Sequence, residues 1–185
     1  MNKTKQNLAN AFAGESQARN RYTYFASVAK KEGYEQISEI FLETAENEKQ
    51  HAKMFYKLLG DGNFKIESEY PFKLGTTLEN LISAAKGEHE EWSKFYLEAA
   101  EIADKENEKN AANTFRQILE AEKHHEERYL KLIENIKNNT VFKKPAEVIW
   151  KCRKCGRLIK SKIAPEKCPT CEHPQNYFEI FCENF

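Results

Sequence analysis

The sequence predicts a mainly α protein, a four-helix bundle followed by a small β-rich module. Three observations carry this reading. Apolar residues recur at alternating steps of three and four along four segments, the mark of one face of a bundled helix. One long connection, with Pro71 and three glycines, separates the second segment from the third. All five cysteines fall in the last 34 residues, beyond the last helical stripe.

The first stripe runs Leu8, Phe12, Glu15, Arg19, Tyr22, Ala26, Ala29, and the second Ile37, Phe41, Thr44, Glu48, His51, Phe55, Leu58. The third runs Leu78, Leu81, Ala85, Glu88, Trp92, Phe95, Ala99, Ile102, and the fourth Ala111, Phe115, Ile118, Glu122, His125, Tyr129, Leu132, Ile136. The remaining positions are rich in Lys, Glu, Gln and Asn, as a solvated face should be. Gly33 separates the first two helices, and residues 104–108 separate the last two. Connections this short make antiparallel hairpins. Residues 60–75 are long enough to cross the bundle, and Thr76 with Glu79 fits a capping box at the start of the third helix. Two hairpins joined by one long crossover suit a ferritin-like four-helix bundle. After Ile136 the helical pattern stops, and residues 138–140 and 143–145 read as a linker. The bundle is therefore placed at residues 1–137, the linker at 138–147 and the small domain at 148–185. Within that domain, residues 148–151 and 177–181 read as short strands. A unit so small needs a metal to fold.

Bulk properties exclude several functions. Twenty-nine acidic and 29 basic residues balance, so no basic field drives nucleic-acid binding. No apolar run approaches the roughly 20 residues of a membrane helix. The N-terminal residues lack the apolar core of a signal peptide, so the cytoplasm is the expected compartment.

The stripes carry an anomaly. EKQH at 48–51 recurs as EKHH at 122–125, and each copy follows a Gly-Glu pair, Gly14-Glu15 and Gly87-Glu88. Glu15 precedes Glu48 by 33 residues, and Glu88 precedes Glu122 by 34. Four glutamates and two histidines thus sit where apolar core is due. Burying an unpaired carboxylate costs several kcal/mol or forces it to protonate. In Glu-x-x-His the spacing of three puts both side chains on one face, where they can share a cation. A Glu from each of two helices and Glu-x-x-His from each of the other two is the ligand set of ferritin-like di-iron and di-manganese proteins. One imidazole per metal among carboxylates suits iron or manganese better than zinc. The competing reading is a plain bundle with buried ion pairs, Arg19 being one partner. Mid-helix Gly14 and Gly87 each cost on the order of 1 kcal/mol against alanine. A close approach beside the site would explain them; loose helix packing is the alternative. Glu91 breaks the repeat, since its counterpart is Ala18. By spacing alone Glu91, Glu90, His89 and His124 read as solvated, and Tyr22 and Tyr96 as core whose hydroxyls need partners.

In the tail, Cys152-x-x-Cys155 and Cys168-x-x-Cys171 are separated by 12 residues, a tetrathiolate signal. Zinc would make it structural, and a single iron would make it a one-electron carrier. Cys182 falls outside the quartet and reads as a small buried hydrophobe. His173 is a spare, since no cysteine is missing.

With its ligand order, Gly87-Glu88-x-x-Glu91, two Glu-x-x-His sets and Trp150-x-Cys152-x-x-Cys155-Gly…Ala164-Pro-x-x-Cys168-Pro-x-Cys171-x-His173-Pro174, the chain resembles the rubrerythrin family over nearly its whole length. The resemblance implies a ferritin-like di-iron bundle followed by a rubredoxin-like domain with one iron on four cysteines, zinc there being a mis-metallated form. It implies a cytoplasmic two-electron peroxidase that reduces hydrogen peroxide to water in oxidative-stress protection. Electrons would come from a NAD(P)H-dependent reductase or a rubredoxin, relayed by the four-cysteine iron. The family pattern implies that Glu48 and Glu122 bridge the irons. Glu15 would bind one iron, and Glu88 with His125 the other. Glu91 and His51 would exchange on the first iron, and Tyr22 and Tyr96 would hydrogen-bond ligand carboxylates. It also implies a homodimer or higher homo-oligomer, commonly paired head to tail. The alternative function is a ferritin-type ferroxidase or iron-handling protein, which the electron-donating tail disfavours.

Overall fold

A computed structural model of the chain describes residues 2–183. Helices α1 (Lys3–Lys31) and α2 (Glu35–Leu59) form the first hairpin. Asn2 caps α1 by accepting from the Lys5 amide at 2.9 Å. Gly33 turns the chain at φ 83°, a left-handed conformation that costs glycine little. The second hairpin is built from α3 (Thr77–Glu90), a π-helical turn (Glu91–Phe95), α4 (Tyr96–Lys105) and α5 (Lys109–Lys137). The expected capping box is present, with Thr76 accepting from the Glu79 amide and Glu79 accepting from that of Thr76.

The π turn changes which residues face inward. Uninterrupted helix would bury Trp92, Phe95 and Ile102. One extra residue in a turn rotates everything after it. Trp92 and Phe95 are instead only partly buried and Ile102 is half-buried, while Ala100 and Ala103 join Tyr96 and Ala99, both expected inside, in the core.

The bundle interior has two apolar layers. One gathers Leu8, Phe55, Tyr96, Ala112 and Phe115; the other gathers Phe25, Phe41, Leu81, Tyr129 and Ile133. Glu15, Glu48, Glu88, Glu122 and His125 are buried in the same helices. By sequence position they fall between those layers on every helix. No helix among the described residues is long and apolar enough to cross a membrane.

The tail forms a three-stranded antiparallel sheet of order β2-β1-β3, from β1 (Lys143–Cys152), β2 (Leu158–Ile163) and β3 (Phe178–Ile180). Trp150 is paired with Ile159 on one side and Ile180 on the other, and packs with Ala164 and Phe178. β1 begins before the expected Val148, and β2 was not anticipated, because LIKSKI lacks a regular apolar alternation. The tail meets the α1–α2 hairpin where Tyr34 stacks on Phe142 (centroids 6.4 Å apart) and Arg153 approaches Glu39 at 4.0 Å. Cys182 is exposed, contrary to the buried role expected of it, because it lies beyond β3 and outside the small core.

Candidate metal centres

Each helix of the bundle delivers its ionisable side chain to one point. Nδ1 of His51 lies 2.9 Å from Glu48, 2.8 Å from Glu122 and 3.8 Å from Glu15. Nδ1 of His125 lies 2.7 Å from Glu122, 3.2 Å from Glu48 and 3.8 Å from Glu88. The two sets mirror each other. They resolve into two ligand groups, Glu15/Glu48/His51/Glu122 and Glu48/Glu88/Glu122/His125, each with donor atoms within 4.8 Å of one another. Glu48 and Glu122 belong to both.

Without a cation this cluster is badly matched. Glu15 Oε2 and Glu88 Oε2 are buried with no hydrogen-bond partner, and Glu48 Oε1 and both Glu122 oxygens face only the two imidazole nitrogens. Such groups cost roughly 1–3 kcal/mol each when left unsatisfied. Burial and then the neighbouring carboxylates push Glu15 and Glu91 well above the usual carboxylate range, and burial and Glu48 push Glu88 up to about 8. Burial opposes the charge on His51, but its hydrogen bonds to Glu122 and Glu48 prevail and hold it up to about 10. Burial likewise works against Glu122, yet the two imidazoles bring it down to about 2. The metal-free protein therefore uses protons where divalent cations fit. Four carboxylates balance two divalent charges, and the donors are oxygen-rich with one imidazole per group, as iron prefers.

Two tyrosines orient the carboxylates across the halves. Tyr22 of α1 donates to Glu88 Oε1 at 2.5 Å, and Tyr96 of α4 donates to Glu15 Oε1. Such bonds fix a ligand's rotamer and basicity. Arg19, the alternative ion-pair partner, points away to Glu46 at 3.6 Å. His89, Glu90 and His124 are exposed as expected, His89 bonding Glu126 at 3.1 Å.

Glu91 stands apart. It opens the π turn, lies outside both ligand groups, and lines a cleft with Arg21 and Tyr70. Arg21 and Tyr70 were not singled out from sequence. Tyr70 lies in the crossover, where no periodicity operates, and Arg21 reads there as surface.

In the tail, Cys152 and Cys171 sulfurs are 3.7 Å apart and Cys155 and Cys168 sulfurs 3.6 Å apart. A disulfide would need about 2.05 Å. A tetrahedral ion with metal–sulfur bonds of about 2.3 Å needs sulfur–sulfur edges of about 3.8 Å. All four thiols are free and mutually within ligand range. His173 instead directs Nδ1 at the Cys171 carbonyl, 3.0 Å away, and packs on Tyr177.

Comparison with known proteins finds two family models along the chain. The family model described as Rubrerythrin matches residues 6–133, and that of the rubrerythrin rubredoxin-like domain matches residues 150–179. The chain is 54% identical to rubrerythrin-1 of Clostridium acetobutylicum, over 99% of this chain and 96% of that one. It is 52% identical to rubrerythrin of Porphyromonas gingivalis, over 99% and 92%. The solved structure of nigerythrin in its fully reduced, all-ferrous state superposes with a TM-score of 0.67 at 32% identity, covering 98% of this chain and 88% of that chain. An open-pore ferritin from Archaeoglobus fulgidus shares the fold at 18% identity, with a TM-score of 0.63 over 75% of this chain and 87% of that one. The buried cluster is thus a ferritin-like di-iron site, and the four cysteines form a rubredoxin-like site.

Proposed function

The chain belongs to the rubrerythrin family, a group of di-iron oxidoreductases of oxidative-stress protection, and from that premise we propose that it is a peroxidase reducing hydrogen peroxide to water. The observation that carries this reading is one chain holding two unlike iron sites, a di-iron cluster with two shared carboxylates and a tetrathiolate. An iron store needs no built-in electron carrier, whereas a turning-over reductase does.

Glu48 and Glu122 are assigned as the shared ligands, Glu15 with His51 to one iron, and Glu88 with His125 to the other. When bound, ferrous iron would supply two electrons and Lewis acidity for peroxide reduction, which also takes up two protons. The remaining work falls to the protein. Tyr22 and Tyr96 keep the outer carboxylates aimed inward. Glu91 and His51 are assigned as alternating donors, for a charge reason: four carboxylates neutralise two divalent ions, and a fifth suits more highly charged ones. His51 sits in the cluster here and Glu91 beside it, which supports His51 as the donor of the reduced form. Cys152, Cys155, Cys168 and Cys171 are assigned to the single iron, which takes electrons from a NAD(P)H-dependent reductase or a rubredoxin.

Anaerobic stopped-flow work on the pre-reduced, iron-loaded protein tests the reading. We expect about three irons per chain, thiolate-iron absorption, and catalytic peroxide consumption when a reductase system is supplied. A mineral core growing without catalytic consumption of peroxide would overturn it in favour of ferritin-type iron handling.

A further inference from the structure

Between α1 and α3, under residues 67–73 of the crossover, lies a cleft of about 820 Å³. Tyr96, which donates to Glu15 of the di-iron cluster, and Glu91, assigned above as an alternating donor, line it. So do Gly14 and Gly87, the two glycines that sit at equivalent mid-helix positions of the repeat. Their role is not helix packing. A methyl at Gly14 would lie 3.8 Å from Tyr70 Cε1 and 3.9 Å from both Tyr70 Oη and Glu91 Oε1. A methyl at Gly87 would meet Arg21 Nη2 at 3.9 Å. These are ordinary contacts, so alanine would fit both places and would favour the helix in each. What Gly14 preserves is a methyl-sized space between Tyr70 and Glu91, and Gly87 leaves a similar one beside Arg21.

Tyr70 sits opposite that space. Its hydroxyl donates to the Asn10 carbonyl at 3.1 Å and its ring covers Gly14. Two more bonds strap the crossover to α1, Glu67 amide to Asn10 Oδ1 at 3.1 Å and Gln6 Nε2 to the Lys65 carbonyl at 2.8 Å. The Glu91 carboxylate, by contrast, makes no hydrogen bond or ion pair among the described residues. Tyr70, Gly14 and Glu91 therefore meet around one narrow opening, walled by fixed helices on two sides and by a strapped aromatic ring on the third.

We propose that this cleft is the binding and access site for small oxidants at the di-iron centre, and that Tyr70 sets the size admitted. Molecules of two or three heavy atoms pass between the Tyr70 ring and Gly14. Hydroperoxides carrying a bulky organic group are held back. That the admitted oxidant is hydrogen peroxide rests on the proposed peroxidase reading; the route itself does not.

The experiment measures azide association with the reduced, iron-loaded full-length protein by anaerobic stopped-flow spectroscopy. One added methylene in a tight site is worth about tenfold or more. Gly14→Leu is expected to slow azide association by about that factor while iron content and melting temperature hold. The paired Gly14→Ala/Gly87→Ala variant, which fits without steric conflict, is expected to slow it less. Tyr70→Ala is expected to quicken azide association and to raise turnover of cumene hydroperoxide relative to hydrogen peroxide. Tyr70→Phe, which keeps the ring and loses the bond to Asn10, should fall between Tyr70→Ala and the parent. Wild-type azide rates in iron-replete Gly14→Leu and in Tyr70→Ala would overturn the proposal. Should Gly14→Leu lose iron, the paired alanine variant decides by the same criterion. Absence of peroxide turnover in the parent protein would defeat the peroxidase reading alone, because the azide rates still decide the route.

Discussion

The α1–α2 half of the bundle places Ala18 three residues after Glu15 and Tyr22 seven after; the α3–α5 half places Glu91 three after Glu88 and Tyr96 eight after. The connections are alike, residues 32–34 and 106–108, and each ligand-bearing second helix starts 13 residues before its glutamate, Glu35 before Glu48 and Lys109 before Glu122. The single extra residue therefore lies within the third helical segment, at the π turn Glu91–Phe95. It lets Tyr96 point inward despite its shifted number and give to Glu15 what Tyr22 gives to Glu88. It also coincides with the one carboxylate that has no counterpart. Inserted π turns sacrifice helix regularity and are frequent at functional sites. The bundle thus keeps a near-symmetric cage and confines its asymmetry to one turn facing one cleft.

The shared carboxylates test the symmetric part, and their loss should have the largest effect. Glu48→Ala and Glu122→Ala each remove a donor common to both ligand groups, so each is expected to lose most of both di-iron ions and nearly all turnover. Metal analysis after desalting would show it. A variant that cleanly retained one iron would mean that the two groups do not share the residue.

The π turn tests the asymmetric part. Glu91→Ala is expected to keep most of its iron yet lose about tenfold or more in turnover, the scale seen when a group that tunes a metal site is removed. Deleting Ser93 would make the second half match the first in length. We expect a continuous helix, Glu91 turned from the cleft, and the same low turnover. Wild-type turnover in Glu91→Ala would return that residue to an ordinary position on the helix.

Much of the cage was legible because ligands follow the same helical period as the core: Glu15, Glu48, Glu88 and Glu122 lie on apolar stripes, and the Thr76–Glu79 cap marks its helix start. The π turn was not, because a fixed period of 3.6 assumes that no residue is inserted. That assumption put Ile102 inward, where Ala103 stands. Its trace was nonetheless present in the spacings 33 against 34 and seven against eight. Tyr70 left no trace, since its role depends on where a crossover is strapped. Cys182 was misplaced because cysteine's average preference for burial says nothing about a chain end beyond the last strand.

Acidity compares the halves without mutation. In the metal-free protein Glu88, from the second half, is raised from 4.5 to about 8, and His51, from the first, from 6.5 to about 10. Both bind protons more tightly folded than unfolded. Their stabilisation is complete below the unfolded values and is lost as pH rises through the folded ones. Glu122, lowered from 4.5 to about 2, acts oppositely: its contribution is present above 4.5 and is lost as pH falls toward 2. Metal-free stability should therefore decline from about pH 4.5 to about pH 10, by roughly 1.4 kcal/mol per pH unit for each extra proton held. The iron-loaded protein should decline less, since metal holds the same groups unprotonated. Thermal melts across that range decide, and a melting temperature rising with pH in the metal-free form would refute the assignment.

The smallest effect is the finest comparison. Tyr22→Phe and Tyr96→Phe each remove one donor from a buried carboxylate, for an expected loss of about 1–3 kcal/mol in the unfolding of the metal-free protein. Tyr22 is clasped by Phe41 and Tyr129 in an uninterrupted helix, with centroids 6.1 and 5.8 Å away. Tyr96 follows the π turn, against Phe55 and Phe115 at 5.7 and 5.8 Å. If the turn serves only to restore register, the two losses should be equal within experimental error. A smaller loss at Tyr96 would show that the turn yields, letting Glu15 relax toward the cleft, and that asymmetry reaches the cage itself. Iron affinity measured on the same pair separates the cases, because a yielding second half would weaken binding in Tyr96→Phe less than in Tyr22→Phe.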